Sequence, residues 1–212
     1  MPSTDTKLQD SPPETGLEDE PRTFQEARWD ENFAKLALRY AGGEDAEVVY
    51  APCGSTGQFY EIFAARAKHL HLIDSSPAKL EALLANHPEA KQWKPQVGEV
   101  TNLPLPDASV NLAFCMHHFY DLQDTESRIA TLKELARVSR RYIAISVHDR
   151  ATLSYIRKRI RIEEPLPDSL RMATILKEAA SADLRLQLKH PTLSLFAYQR
   201  SLLFEKTSVS AS

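Results

Sequence analysis

With 212 residues, 42% of them hydrophobic and 26% charged, the chain is long enough to bury one substantial core and is read as one globular domain. Its 26 Lys and Arg against 29 Asp and Glu leave a formal net charge of −3, which gives no overall attraction to a polyanion, so no nucleic-acid partner is expected. Cys53 and Cys115 lie far apart and outside any CxxC spacing, which excludes a disulfide framework and a structural zinc site. No apolar run approaches a membrane span and the N-terminus is polar and acidic, so the expectation is a cytoplasmic protein.

Residues 1–21 carry four prolines and almost no large apolar residue, and read as a disordered acidic arm ahead of a domain over 22–207 and a short tail over 208–212. Phe24, Ala27, Phe33, Leu36, Ala37 and Tyr40 recur at helical spacing, predicting a helix over 23–41 that Gly42 and Gly43 stop. Four apolar runs of strand length follow, at 47–52, 69–74, 110–116 and 142–148, as expected for strands covered on both faces. Between them FYEIFAARA, PAKLEALLAN and TESRIATLKELARVS have helical periodicity, with Ser76-Pro77 and Asp124-Thr125 where N-cap and first-turn residues belong. Strand and helix in alternation imply right-handed crossovers and a parallel sheet. The last two apolar segments, 184–198 and 199–206, have no helix between them and predict an antiparallel pair at one sheet edge.

In an open α/β sheet, ligands bind beyond the carboxyl ends of the strands. After the first strand comes PCGSTGQ, a small-residue turn opening onto a helix, in which Gly54 and Gly57 let a ligand approach the backbone. The second strand ends in Asp74, 17 residues beyond Gly57, where a carboxylate can accept two hydrogen bonds from a ribose diol. The competing structural explanations are an ordinary strand-to-helix turn and an Asp that caps the helix starting at Pro77. A dinucleotide site wants GxGxxG on a pyrophosphate; here the glycines stand as GxxG, which suits the amino-acid portion of an adenosyl ligand.

Taken together, APCGSTGQF, HLIDSSPAKLEALLA, VGEVTNLPLPDASVNLAFCMHHFYDL and LKELARVSRRYIAISVHD resemble the class I S-adenosylmethionine-dependent methyltransferases, especially the small bacterial group related to quinone-biosynthesis methyltransferases, over about residues 45–150. The resemblance implies an α/β Rossmann-like fold with a seven-stranded, mostly parallel sheet, an antiparallel edge hairpin and helices on both faces. It implies S-adenosyl-L-methionine as cofactor and a pocket lined by Cys53, Gly54, Gly57, Asp74, Ser75, Glu99, Val100, Cys115 and Met116, with Glu99 at the acid that meets the adenine amino group. Tyr50 belongs to the same pocket wall but replaces the acid with which the family's first strand usually ends. Pro52 replaces the usual first glycine, one extra residue lies between Gly54 and Gly57, and Asn111 replaces the usual Asp on the fourth strand. These departures keep two other readings open beside methyl transfer to a small-molecule or lipid-like acceptor. One is a catalytically silent relative acting through protein contacts, the other an NAD-dependent oxidoreductase.

Methyl transfer from a sulfonium needs an aligned nucleophile, and a base when that nucleophile is a hydroxyl. His117, His118 and Tyr120, just past the fourth strand, are the catalytic candidates; the alternative for each is packing or capping. His69, His71, His87, His148 and His190 have no metal-ligand spacing, so no metal is expected. Residues 149–164 predict a helix on which Arg157, Lys158, Arg159 and Arg161 could meet an anionic surface, unless they form a solvated face balanced by Glu163 and Glu164.

Overall fold

Every polar backbone group in the apolar strand runs must be paired once water is excluded, and the chain pairs them in one mixed sheet. The computed structural model describes residues 24–122, 124–149, 169–190 and 199–207. The strands are β1 (Glu47–Tyr50), β2 (His69–Asp74), β3 (Gln96–Val97), β4 (Val110–Cys115), β5 (Ser139–Asp149), β6 (Ser169–Leu170), β7 (Leu184–His190) and β8 (Gln199–Lys206). Seven of them form a continuous path in the order β3-β2-β1-β4-β5-β8-β7, and the two-residue β6 pairs beside the end of β5. The first five are mutually parallel; β8 runs antiparallel to both β5 and β7, which completes the expected edge hairpin. The α/β, Rossmann-like sheet expected from the sequence is therefore the observed one, with β6 as an addition.

Because successive side chains of a strand point to opposite faces, the sheet separates two apolar layers. Val48, Tyr50, Leu70, Leu72, Leu112 and Phe114 face one side, packed with α1 (Phe24–Tyr40), α2 (Tyr60–Ala64) and α3 (Pro77–Asn86) through Phe33, Ala37, Phe63, Leu80 and Leu83. Val49, Ile73, Ala113, Cys115, Ile143 and Ile145 face the other, packed with α4 (Thr125–Val138) and α5 (Met172–Ala180) through Leu132, Leu135, Ile175 and Ala179. The sequence periodicity located α1, α3 and α4 to within one residue; α2 is shorter than its periodic segment, and α5 was not foreseen. The caps also form as expected: Ser76 Oγ accepts from the Lys79 N–H, and Asp124 Oδ1 from the Ser127 N–H. The acidic arm, the basic segment with Arg157, Lys158, Arg159 and Arg161, and the tail lie outside the described residues.

A buried ion pair fixes α5 against α4. The Arg128 guanidinium reaches both oxygens of Glu178, with its shortest contact at 2.6 Å, and also donates to the Leu122 carbonyl and Thr125 Oγ1. Both side chains are about 95% buried, so each compensates the desolvation of the other. Removing one partner strands a charge. Arg128→Ala should lower unfolding free energy in urea by about 3–5 kcal/mol, and Arg128→Met with Glu178→Leu should recover most of it.

Candidate active site

The strand order reverses direction between β1 and β4, and a doubly wound sheet opens a crevice at that point beyond its carboxyl edge. The turn after β1 and the residues after β4 flank this crevice. Asp74, at the end of neighbouring β2, is 2% exposed and holds the turn in place. Its Oδ2 accepts the Gly54 N–H at 2.9 Å and its Oδ1 accepts the Ser76 N–H at 3.0 Å. One carboxylate thereby joins the first-strand turn, the second strand and the start of α3. An ionised carboxylate offers about four lone-pair sites, so each oxygen keeps acceptor capacity for a ligand.

Gly54 has φ +66, and a Cβ built on it would meet nothing within 4 Å. The backbone there faces open space beside a carboxylate, which fits a ligand with an adenosyl diol and a polar amino-acid end. Gly57 has a different role. Its φ is +57, and a Cβ would stand 2.3 Å from Leu83 Cδ1, so glycine is required for the turn to rest on α3. The longer stretch between the two glycines is held by the end of α3: Asn86 Nδ2 donates to the Ser55 carbonyl, and His87 Nε2 lies 3.0 Å from the Thr56 carbonyl.

Of the other sequence candidates, Ser75 is exposed beside Asp74, Glu99 is exposed and Val100 buried at the segment after β3, and Cys115 and Met116 are buried at the end of β4. The segment after Val100 is fixed from α4: Glu134 accepts the Leu103 N–H, while Arg137 binds Glu134, Asp107 and the Leu103 carbonyl. Tyr50 is 4% exposed and packs edge-on against Phe59 and Phe114, with Phe63 tilted against it. The position that carries an acid in the family is here part of an aromatic cluster. Asn111 proves remote from the crevice. It lies at the amino end of β4, where its Oδ1 accepts the Glu47 N–H at 2.8 Å, so its departure from the family pattern concerns strand alignment and not the ligand side.

The candidates after β4 occupy different surroundings. His117 adopts φ +60, and its N–H donates to Ser146 Oγ at 2.7 Å. Its ring meets Phe59 edge-on, its Nε2 lies 3.2 Å from Asp30 Oδ2, and Tyr120 beyond it stacks on His148 at 4.1 Å. His118 titrates below the ordinary histidine range because burial disfavours its cation, although the carboxylate of Asp74 pulls the other way. Sequence reasoning missed Asp30, Phe59 and Ser146. Asp30 carried a usable signal: with Phe33, Ala34, Ala37 and Leu38 it falls on the buried stripe of α1. Among the described residues no group of three or more His, Cys, Asp or Glu is placed to hold a metal, and no helix is long and apolar enough to cross a membrane.

The glycine turn clasped by a carboxylate lies at the switch point of a doubly wound α/β sheet. Residues 51–142 match the family model described as a methyltransferase domain. Solved structures of similar fold include magnesium protoporphyrin IX methyltransferase from Synechocystis with bound SAH, at 17% identity and TM-score 0.65, covering 89% of this chain and 90% of that one. An S-adenosylmethionine-dependent methyltransferase from Clostridium acetobutylicum aligns at 12% identity and TM-score 0.67, over 86% of this chain and 92% of that one. A geranyl diphosphate methyltransferase in complex with GPP and sinefungin aligns at 14% identity and TM-score 0.58, over 85% and 80%. No curated protein matches by sequence. The fold is that of the S-adenosylmethionine-dependent methyltransferases.

Burial and the nearby Asp74 charge push the Cys53 thiol up to about 12, and burial alone raises that of Cys115 further. Neither is a thiolate at neutral pH. Both should be inert to a disulfide reagent at pH 8 in the native protein and react fully in denaturant; fast native labelling of either would contradict their burial. The lowered His118 also sets an acid limb. Below about pH 6.5 the unfolded imidazole binds a proton that the folded one does not, so stability falls as pH drops. His118→Gln should reduce the loss of urea midpoint as pH falls below about 6.5.

Proposed function

We propose that this chain binds S-adenosyl-L-methionine and transfers its methyl group to a small-molecule acceptor. The observation that carries this reading is the Asp74 clasp on Gly54 at the switch-point crevice, together with the methyltransferase-domain match over 51–142. The cofactor supplies an electrophilic methyl carbon on a sulfonium. Cys53 and Gly54 would receive its methionine end, with Gly57 setting the turn from behind, Asp74 and Ser75 the ribose, and Glu99, Val100, Cys115 and Met116 the adenine side. Asp74 would use the lone pairs left over from its two backbone bonds, each charge-assisted bond contributing about 1.5–3 kcal/mol. His117, His118 and Tyr120, just past β4, are the residues to which aligning the acceptor and taking its proton is assigned in this reading. Resemblance over GEVTNLPLPDASVNL supports a place near the quinone-biosynthesis methyltransferases, and with it a lipid-like acceptor.

A second reading rests on one specific observation. Tyr50 fills with aromatic packing the position at which the family's first strand carries an acid, so a silent relative would keep the ribose contact and lose the methionine one. Calorimetry separates the two. The methyltransferase reading expects micromolar binding of S-adenosylmethionine and S-adenosylhomocysteine, about −8 kcal/mol, and a Kd at least about tenfold weaker for Asp74→Ala, about 1.4 kcal/mol. Adenosine binding without S-adenosylmethionine binding would favour the silent relative, and unchanged affinity in Asp74→Ala would move the site elsewhere.

A further inference from the structure

Charge is unevenly divided along the chain. Residues 1–21 carry six carboxylates, Asp5, Asp10, Glu14, Glu18, Asp19 and Glu20, against the one cation Lys7. The remaining residues hold 25 Lys and Arg against 23 Asp and Glu, so the whole negative charge of the chain lies in the arm and the body is weakly cationic. Part of that cationic charge is laid out in a line. In α1 the buried Asp30, Phe33, Ala34, Ala37 and Leu38 define the inner face, while Arg28, Asn32, Lys35 and Arg39, all exposed, follow one another at i, i+4, i+7 and i+11 on the outer face. Lys35 lies 3.7 Å from Glu31, whereas Arg28 and Arg39 have no carboxylate at ion-pair distance among the described residues. The line continues past the helix. Tyr40, 44% exposed, meets Tyr142 edge-on at 5.9 Å, and the Arg141 guanidinium lies over the Tyr142 ring at 5.0 Å. Glu205 then joins Arg141 at 2.8 Å to Arg185 at 3.4 Å. The Arg141 and Arg185 side chains are 57% and 71% exposed and Glu205 only 15%, so one recessed carboxylate serves two guanidiniums and each keeps donors for a further anion. Exposed Tyr and stacked Arg side chains are the ones enriched where protein surfaces bind polypeptide.

We propose that this surface is the docking site of the chain's own acidic arm, with residues 1–21 running back from the start of α1 along Arg28, Lys35 and Arg39 to Tyr40, Arg141 and Arg185. The lengths permit it. Helix α1 has 17 residues, about 25 Å at about 1.5 Å each, so about eight residues of extended arm at about 3.3 Å each cover it. The remainder is free to reach Arg141 and Arg185. The order of charges fits as well: Glu18, Asp19 and Glu20 fall beside Arg28 and Lys35, Glu14 beside Arg39, and Asp10 and Asp5 toward the two arginines beyond the helix. The arm has almost no large apolar residue to bury, so the attraction is electrostatic, and a single exposed ion pair contributes little. Several pairs act together here, and the tether supplies the arm at an effective concentration in the millimolar range. An acidic segment of another protein, or the arm of a second copy, has to compete against that concentration.

The test uses the full chain with Ser11→Cys and a nitroxide attached there; Cys53 and Cys115 are buried and do not take the label. Amide NMR signals of Lys35, Arg39, Tyr40, Arg141 and Tyr142 should lose about twofold or more of their intensity at about 0.01 M salt, where the screening length is about 30 Å, and regain it at about 1 M, where it is about 3 Å. Signals of α4, on the other face of the sheet, should not change. Arg28→Glu, Lys35→Glu and Arg39→Glu together should abolish the effect, and adding Glu18→Lys, Asp19→Lys and Glu20→Lys should restore part of it. Should the α1 variant fail to fold, the three arm substitutions alone must abolish the effect in the otherwise unchanged chain. Three results overturn the proposal. One is full intensity at low salt. Another is loss confined to Arg157, Lys158, Arg159 and Arg161, which would put the arm on the other basic segment. The third is equal loss in unlabelled chains mixed with nitroxide-bearing ones, which would make the occupant a second copy.

Discussion

Two backbone hydrogen bonds accepted by one buried carboxylate organise the switch-point crevice of this protein. Gly54 and Ser76 both donate to Asp74, and through it the turn after β1, the end of β2 and the first turn of α3 become one rigid unit. Each oxygen takes one backbone N–H, and an ionised carboxylate keeps further lone pairs for a third partner. Asparagine could serve one donor but would turn its amide hydrogens on the other.

The rest of the crevice follows from packing around that unit. On one face the rings of Tyr50, Phe59, Phe63 and Phe114 interlock with centroids 4.8 to 6.1 Å apart, and they carry the turn's far end. On the other, Arg137 and Glu134 of α4 grip the segment that starts at Leu103, which keeps the chain after Val100 against the sheet. Phe59 meets both Phe114 of the aromatic cluster and His117, so the loop after β4 and the glycine turn share a wall. A disturbance in the cluster is expected to be felt at both, because well-packed rings have little room to relax.

Buried charge marks where chemistry and architecture separate. Arg128 and Glu178 are a closed pair between α4 and α5, satisfied by each other and by Leu122 and Thr125, and their effect is on stability. Asp30 and His117 are also buried, and their contact joins helix α1 to the loop after β4. The same physical rule, that a buried charge must find a partner, therefore ties helix to helix in one place and helix to loop in the other.

Several features could be read from the sequence because they depend on neighbours along the chain. Hydrophobic periodicity marked α1, α3, α4 and the main strands, Ser76 and Asp124 announced helix starts, and Gly54, Gly57 and Asp74 pointed to the first two strand exits. Other features depend on residues distant in the chain, and spacing alone carries no signal for them. The Asn111 bond to Glu47 joins positions 64 apart, the Gln199 bond to Asp30 joins positions 169 apart, and the Leu103 anchor on Glu134 spans 31. The brief β3 and β6, two residues each, are too short for a pattern to show, and they pair with β2 and β5. Composition and periodicity determined the α/β class and one half of the crevice. Tertiary packing alone decided that Tyr50 is enclosed by rings, that Asn111 is remote from the ligand side, and that a carboxylate in the first helix meets a histidine beyond the fourth strand.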